Sequence, residues 1–200
     1  MRTVTADELL PLGAYEAVRD RFRARIIAHK RARRVLLGAE MSFLFEDHDT
    51  VLSQVQEMLR AERISSAAGV RDELEAYNDL VPEDGCLKGT LMIEVEDPET
   101  RERRRRELVG LDDALWLELG GHRCPGEFDA LGRFEDRTAA VRYVQFRLPP
   151  AGRALLLDGA AEAALVVRHP RYEARAALNP EARRSLAEDL DPANGRSVAT

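Results

Sequence analysis

Lysine is nearly absent from this chain: Lys30 and Lys88 stand alone, and arginine supplies the other 28 of 30 basic residues. A buried lysine can shed its proton whereas arginine cannot, so two lysines kept against that bias are candidates for a specific task. Cysteine is equally scarce. Two in 200 residues exclude a disulfide framework, and without a C-x-x-C pair there is no zinc ribbon or thioredoxin-like site. An iron–sulfur cluster normally needs four thiolates, twice what this chain holds. No apolar run approaches the roughly 20 residues of a membrane span, and the N-terminal segment carries Asp7 and Glu8 instead of an apolar signal core. These absences point to a cytoplasmic protein without a membrane partner. The phosphate cradles G-x-G-x-x-G and G-x-x-x-x-G-K-[ST] are missing, as are H-E-x-x-H and the G-x-S-x-G nucleophile elbow. No histidine follows a glutamate by three positions, the spacing a carboxylate-bridged di-iron bundle uses. With 36 acidic residues, a net charge of −6 and aromatics at 6%, nucleic acid is not an expected partner.

What is present describes a globular domain: 44% apolar and 33% charged residues. Residues 1–190 are expected to form one domain, with 191–200 a flexible tail. Thr5 and Glu8 have capping-box spacing for a short turn before Pro11. Tyr15, Val18, Phe22 and Ile26 recur at helical spacing and predict a helix from Gly13 to Arg33. Gly38 separates two short strands, Val35–Leu37 and Met41–Glu46. Further helices are expected at Thr50–Ser66, Val70–Tyr77, Glu99–Val109 and Pro180–Leu190, and strands at Thr90–Val95, Leu115–Leu119 and Val141–Leu148. In the last of these, Val141 and Tyr143 set the apolar face against Arg142. A late hairpin, Ala163–Val167 with Tyr172–Leu178, turns near Pro170, and His122, Cys124 and Pro125 lie in a turn. The fold class is α+β, an N-terminal helical half packed on a largely antiparallel β-sheet.

His29 continues the stripe Phe22–Ile26, so its imidazole faces the core or its edge, as a structural group or as an acid, base or ligand. Lys30, Arg31, Arg33 and Arg34 suit the negative end of that helix's dipole or an anion or RNA patch. Glu46, Asp47, His48 and Asp49 precede a helix and read first as caps. Glu57 can pair with Arg60 on the surface for about 0.2–0.5 kcal/mol, and Glu62 continues the ridge Val51–Val55–Met58, half-buried and in need of a partner. If His29, Glu57 and Glu62 converge, with Glu46 and Asp47 nearby, they make a metal or proton-transfer site. The run Arg101–Arg106 is interleaved with glutamates and reads as a self-paired solvated face.

The segments IAHK (Ile27–Lys30), FED (Phe45–Asp47), QVQEMLRAER (Gln54–Arg63), ELEAYNDLVP (Glu73–Pro82), KGTLMIE (Lys88–Glu94) and HPRYEA (His169–Ala174) resemble an uncharacterised bacterial family, domain of unknown function 3501. Family members are often encoded beside a rubrerythrin and an iron–sulfur oxidoreductase subunit. The resemblance therefore implies a redox-associated role in peroxide or oxidative-stress handling. It carries over to His29, Lys30, Glu46, Asp47, Gln54, Gln56, Glu57, Arg60, Glu62, Tyr77, Asn78 and Lys88. Arg168 and Tyr143–Phe146 depart from the family's usual acidic and histidine residues, so no role falls on His169 or that strand. Three functions follow in order: a non-catalytic accessory docking on a rubrerythrin or iron–sulfur partner, a small metal-dependent enzyme, and an RNA-binding accessory. The first predicts an arginine-lined face near His29–Arg34.

Overall fold

The computed structural model describes residues 1–130, 132–159 and 161–191; of the expected tail, all but Asp191 lies outside the described residues. The capping box forms: the Glu8 carboxylate accepts from the Thr5 N–H and hydroxyl, both at 2.9 Å. The chain then runs through α1 (Leu12–Arg33), β1 (Arg34–Leu37), β2 (Met41–Phe45), α2 (His48–Ala61), α3 (Ala67–Asn78), β3 (Cys86–Ile93) and α4 (Pro98–Glu107). It continues with β4 (Leu115–Leu119), β5 (His122–Phe128), β6 (Val141–Arg147), α5 (Pro150–Asp158), β7 (Ala163–His169), β8 (Tyr172–Ala177) and α6 (Pro180–Leu190). The fold is α+β, with six helices among the described residues and an eight-stranded antiparallel sheet ordered β1-β2-β3-β6-β5-β4-β7-β8.

The sheet coils until its edges, β1 and β8, meet. No ladder closes the gap; the Tyr172 hydroxyl does, donating to the Leu37 carbonyl and accepting from the Glu40 N–H. Gly38 makes this approach possible, since its φ is +71° and a Cβ there would lie 2.5 Å from the Tyr172 hydroxyl. Alternation decides what fills the interior. Phe43, Phe45, Leu87, Leu91, Leu117, Val144 and Phe146 point inward, joined by Leu156 of α5 and by Leu186 and Leu190 of α6. The outer face is covered by α2 through Val51, Val55 and Leu59, packed with Val4 and Val81.

Four expectations are corrected. Helix α2 begins at His48 because Asp47 caps it, and ends at Ala61, with Arg63 in the left-handed region at φ 56°. His122, Cys124 and Pro125 lie in strand β5 and not in a turn. Proline is tolerated there because β5 pairs β4 up to Pro125 and β6 only from Gly126 onward. In β6 the faces are reversed: Arg142 is 2% exposed and Val141 49%. Val144 and Phe146 set the inward register, and a residue of opposite parity must face out. Arg142 is accommodated by a bidentate ion pair with Asp112 at 2.8 and 3.1 Å. Finally, α5 has no counterpart in the sequence expectations, although Pro150 at its start and Gly159 (φ 71°) at its end bracket it. No helix among the described residues is long and apolar enough to cross a membrane.

Candidate functional site

The stripe that carries His29 continues one turn further, to Arg33, and Arg33 is 1% exposed. A guanidinium keeps its charge in any environment, so burial demands a full set of acceptors. It finds them: the Phe45 carbonyl at 2.9 Å, the Glu46 carbonyl at 3.0 Å, Ser185 Oγ at 2.8 Å and Asp189 Oδ2 at 2.5 Å. The last two belong to α6, so Arg33 ties α1, the end of β2 and α6 together. Asp47 divides its two oxygens between tasks. Oδ1 accepts from the Thr50 N–H at 2.8 Å and caps α2. Oδ2 meets His29 Nε2 at 2.5 Å and Arg33 Nε at 3.2 Å.

Electrostatics follow from this crowding. Burial opposes the charge on Asp47, but His29, Arg33 and the Thr50 amide outweigh it and hold the carboxyl down at about 2. Its hydrogen bond raises the pKa of His29 above the usual value. Asp189, more deeply desolvated and facing Asp47 as well as Arg33, is pushed up to about 6.

One residue beyond His29, Lys30 faces a different setting. Outward-facing side chains of β2, β3 and β6 form cross-strand rows, Leu44–Thr90–Tyr143 and Ser42–Met92–Val141. Over this floor stand α1, α2 and α3, leaving a cleft of about 300 Å³ lined by Lys30, Glu46, Gln54, Tyr77, Thr90 and Tyr143 among others. Glu46 is 8% exposed and accepts from the Thr90 hydroxyl at 2.7 Å. Five family-like segments thus supply one cavity.

The remaining candidates do structural work. Gln56 is buried and clamps Leu10 with its amide, accepting from N–H at 2.8 Å and donating to C=O at 3.0 Å. Asn78 grips Val4 in the same way. Lys88 donates to the Asp79 carbonyl at 2.8 Å. Glu57 does not pair with Arg60. It accepts from Tyr15, Arg19 and Arg23 of α1, which holds its carboxyl down at about 2, and Arg60 reaches Glu16 at 2.6 Å. Both carboxylate–arginine contacts therefore stitch α1 to α2. Glu62 is exposed, because α2 stops before it and the ridge it extended ends.

His29 thus meets Asp47 but not Glu57 or Glu62. No group of three or more His, Cys, Asp or Glu side chains among the described residues could hold a metal ion. Cys86 and Cys124 are buried, and burial raises both thiols, the reverse of an activated nucleophile. His169 is structural, Nε2 lying 2.9 Å from the Val109 carbonyl while Nδ1 accepts from the Arg171 N–H. The Arg101–Arg106 face is self-paired, Arg105 and Arg106 on Glu102 and Arg104 on Glu107.

Residues 3–190 match the family described as "Protein of unknown function (DUF3501)". The chain belongs to the DUF3501 family. A crystal structure of a protein of unknown function from Burkholderia pseudomallei is similar to this DUF3501 chain, at 38% identity and a TM-score of 0.88. The likeness covers 95% of this chain and 100% of that one. No curated protein matches the sequence. The DUF3501 match takes in the whole of the Arg33 network and of the cleft. Ser185, Asp189, Thr90 and Tyr143 were not among the sequence candidates, and Arg33 was one only as part of a surface anion or RNA patch. Arg33 was within reach, since the spacing Ile26–His29–Arg33 puts it on the buried stripe.

Proposed function

We propose that the protein is a non-catalytic accessory of a redox system, docking on a rubrerythrin or an iron–sulfur subunit as the family resemblance implies. The observation that supports docking is a basic, partly apolar face on α1. That helix carries seven basic residues against two acids in a chain of net charge −6. Arg33 and Arg34 do not form the face, the first being buried and the second paired with Glu94. It lies further up the helix instead. Arg21, Val18, Phe22 and Arg25 border a shallow depression of about 310 Å³, with the Arg25 guanidinium 5.2 Å over the Phe22 ring. No carboxylate among the described residues forms a salt bridge with Arg21 or Arg25, and Ile27 is 53% exposed on the same helix. Arginines without a salt bridge around an aromatic anchor suit an acidic partner surface.

The test is capture of a partner by the tagged chain from its own host, under anaerobic, low-salt conditions. A rubrerythrin or an iron–sulfur subunit should be retained by the native chain, released as salt rises, and lost from an Arg21→Glu/Arg25→Glu variant. Recovery of the chain alone, or retention by the charge-reversed variant, defeats the reading.

A further inference from the structure

Lys30, Gln54, Tyr77 and Tyr143 line one cleft, and none of their side chains has a hydrogen-bond partner among the described residues. Between them lies Glu46, whose buried carboxylate accepts from a neutral hydroxyl, that of Thr90; Arg33 hydrogen-bonds the Glu46 carbonyl and reaches the carboxylate only through space. A desolvated carboxylate gains most from a cationic donor. The same carboxylate repels a simple anion, and Lys30 and Arg34 at the cleft repel a simple cation. A zwitterion satisfies both. The volume, about 300 Å³, falls at the small-ligand end of the pocket range.

The cleft has an extension that narrows the ligand further. Leu80 and Tyr143 also line an adjoining groove of about 370 Å³ with Asp79, Glu83, Glu127, Asp129 and Lys88. Lys88 is engaged there by Asp79 and Glu83, and Glu127 by Arg147. Asp129 Oδ1 is turned away from solvent, near the Arg142 guanidinium, and burial pushes its carboxyl up. This end of the cavity is acidic, lined by four carboxylic acids against one lysine.

We infer that the cleft binds a basic α-amino acid, its α-ammonium group on Glu46, its α-carboxylate toward Lys30 and its side-chain cation in the adjoining acidic groove. Tyr77, Tyr143 and Gln54 supply donors and acceptors that orient it. The inference does not depend on docking through α1.

Amide-resolved NMR titration of the intact chain tests it, using L-lysine and L-arginine as probes and L-glutamate, propionate and propylamine as controls. L-lysine or L-arginine should saturate the protein and shift amides of β3, β6 and α3 around the cleft, binding more tightly than each control. Glu46→Gln should weaken binding about tenfold or more, the loss typical of removing a desolvated charge partner. Gln54 is solvent-facing, so Gln54→Ala keeps the fold and should weaken binding several-fold. Absence of shifts with both basic amino acids overturns the inference, and so does equal binding of L-glutamate or of either single-charge control. Unchanged affinity in a folded Glu46→Gln overturns it as well. If that variant does not fold, unchanged affinity in both Gln54→Ala and Lys30→Met does the same.

Discussion

His29 and Lys30 are neighbours in the chain and occupy opposite electrostatic settings. His29 enters a network in which every charge has its counterpart: Asp47 answers His29 and Arg33, and Asp189 answers Arg33. Lys30 enters a cleft where it, Gln54, Tyr77 and Tyr143 have no side-chain hydrogen-bond partner among the described residues. A network satisfied by its own members specifies structure, because each member is costly to leave alone. Convergent side chains without such partners hold that capacity for something outside the fold. The two regions share α1 and the end of β2, yet the first reads as architecture and the second as a binding site.

The strongest way to break the comparison is Arg33→Ala. It strands Asp47 and Asp189 in the interior and should cost about 3–5 kcal/mol, the usual penalty for removing one partner of a buried ion pair. Urea unfolding measures this, and a loss below about 1 kcal/mol would show that the network does not hold α6 to α1.

The next effect is on the pH dependence of stability. Asp189 has a folded pKa of about 6 against an ordinary 3.8. The folded state binds the extra proton, so stability falls as pH rises from 3.8 to about 6. Asp47 acts in the opposite sense. Its carboxyl, held at about 2, contributes stability that is present above 3.8 and lost as pH falls toward 2. The raised His29 contributes stability that is full below 6.5 and lost as pH climbs through its folded value. Asp189→Asn should therefore flatten the slope between 3.8 and about 6 without altering the acid limb. Unfolding midpoints across that range, unchanged by the substitution, would place the slope elsewhere.

The smallest effect sharpens the contrast. Gln54→Ala removes no internal hydrogen bond and should change stability by no more than about 0.5 kcal/mol. A larger loss, measured in the same urea series, would mean that the cleft is built to support the fold.

Much of the architecture was legible because it rests on local periodicity. The helix expected at Gly13–Arg33 forms at Leu12–Arg33, and the one expected at Pro180–Leu190 forms with those bounds. Asp47 caps α2 as its position before a helix suggested. The site was legible in fragments. Lys30, Glu46, Gln54 and Tyr77 were among the candidates, but nothing in their spacing showed that they meet. Glu57 and Arg60 mark the limit most clearly. Three apart on one helix, they looked like partners, and each chose α1 instead.

By itself the sequence determined the α+β class, the positions of most helices and strands, and the exclusion of disulfide, zinc-ribbon and nucleotide-cradle chemistries. These are questions of composition, period and short-range spacing, which neighbouring residues answer. Only the tertiary structure decided which way each polar group turns. Ion-pair choice depends on what packs opposite. Arg33 is buried because α6, starting nearly 150 residues later, brings Ser185 and Asp189 to it. Tyr143 reaches Tyr77 and Glu46 because β6 pairs with β3, a register that no local pattern encodes. The cleft is assembled from α1, α2, α3 and the strands β2, β3 and β6 across that register, and for this reason it could be found only in the folded chain.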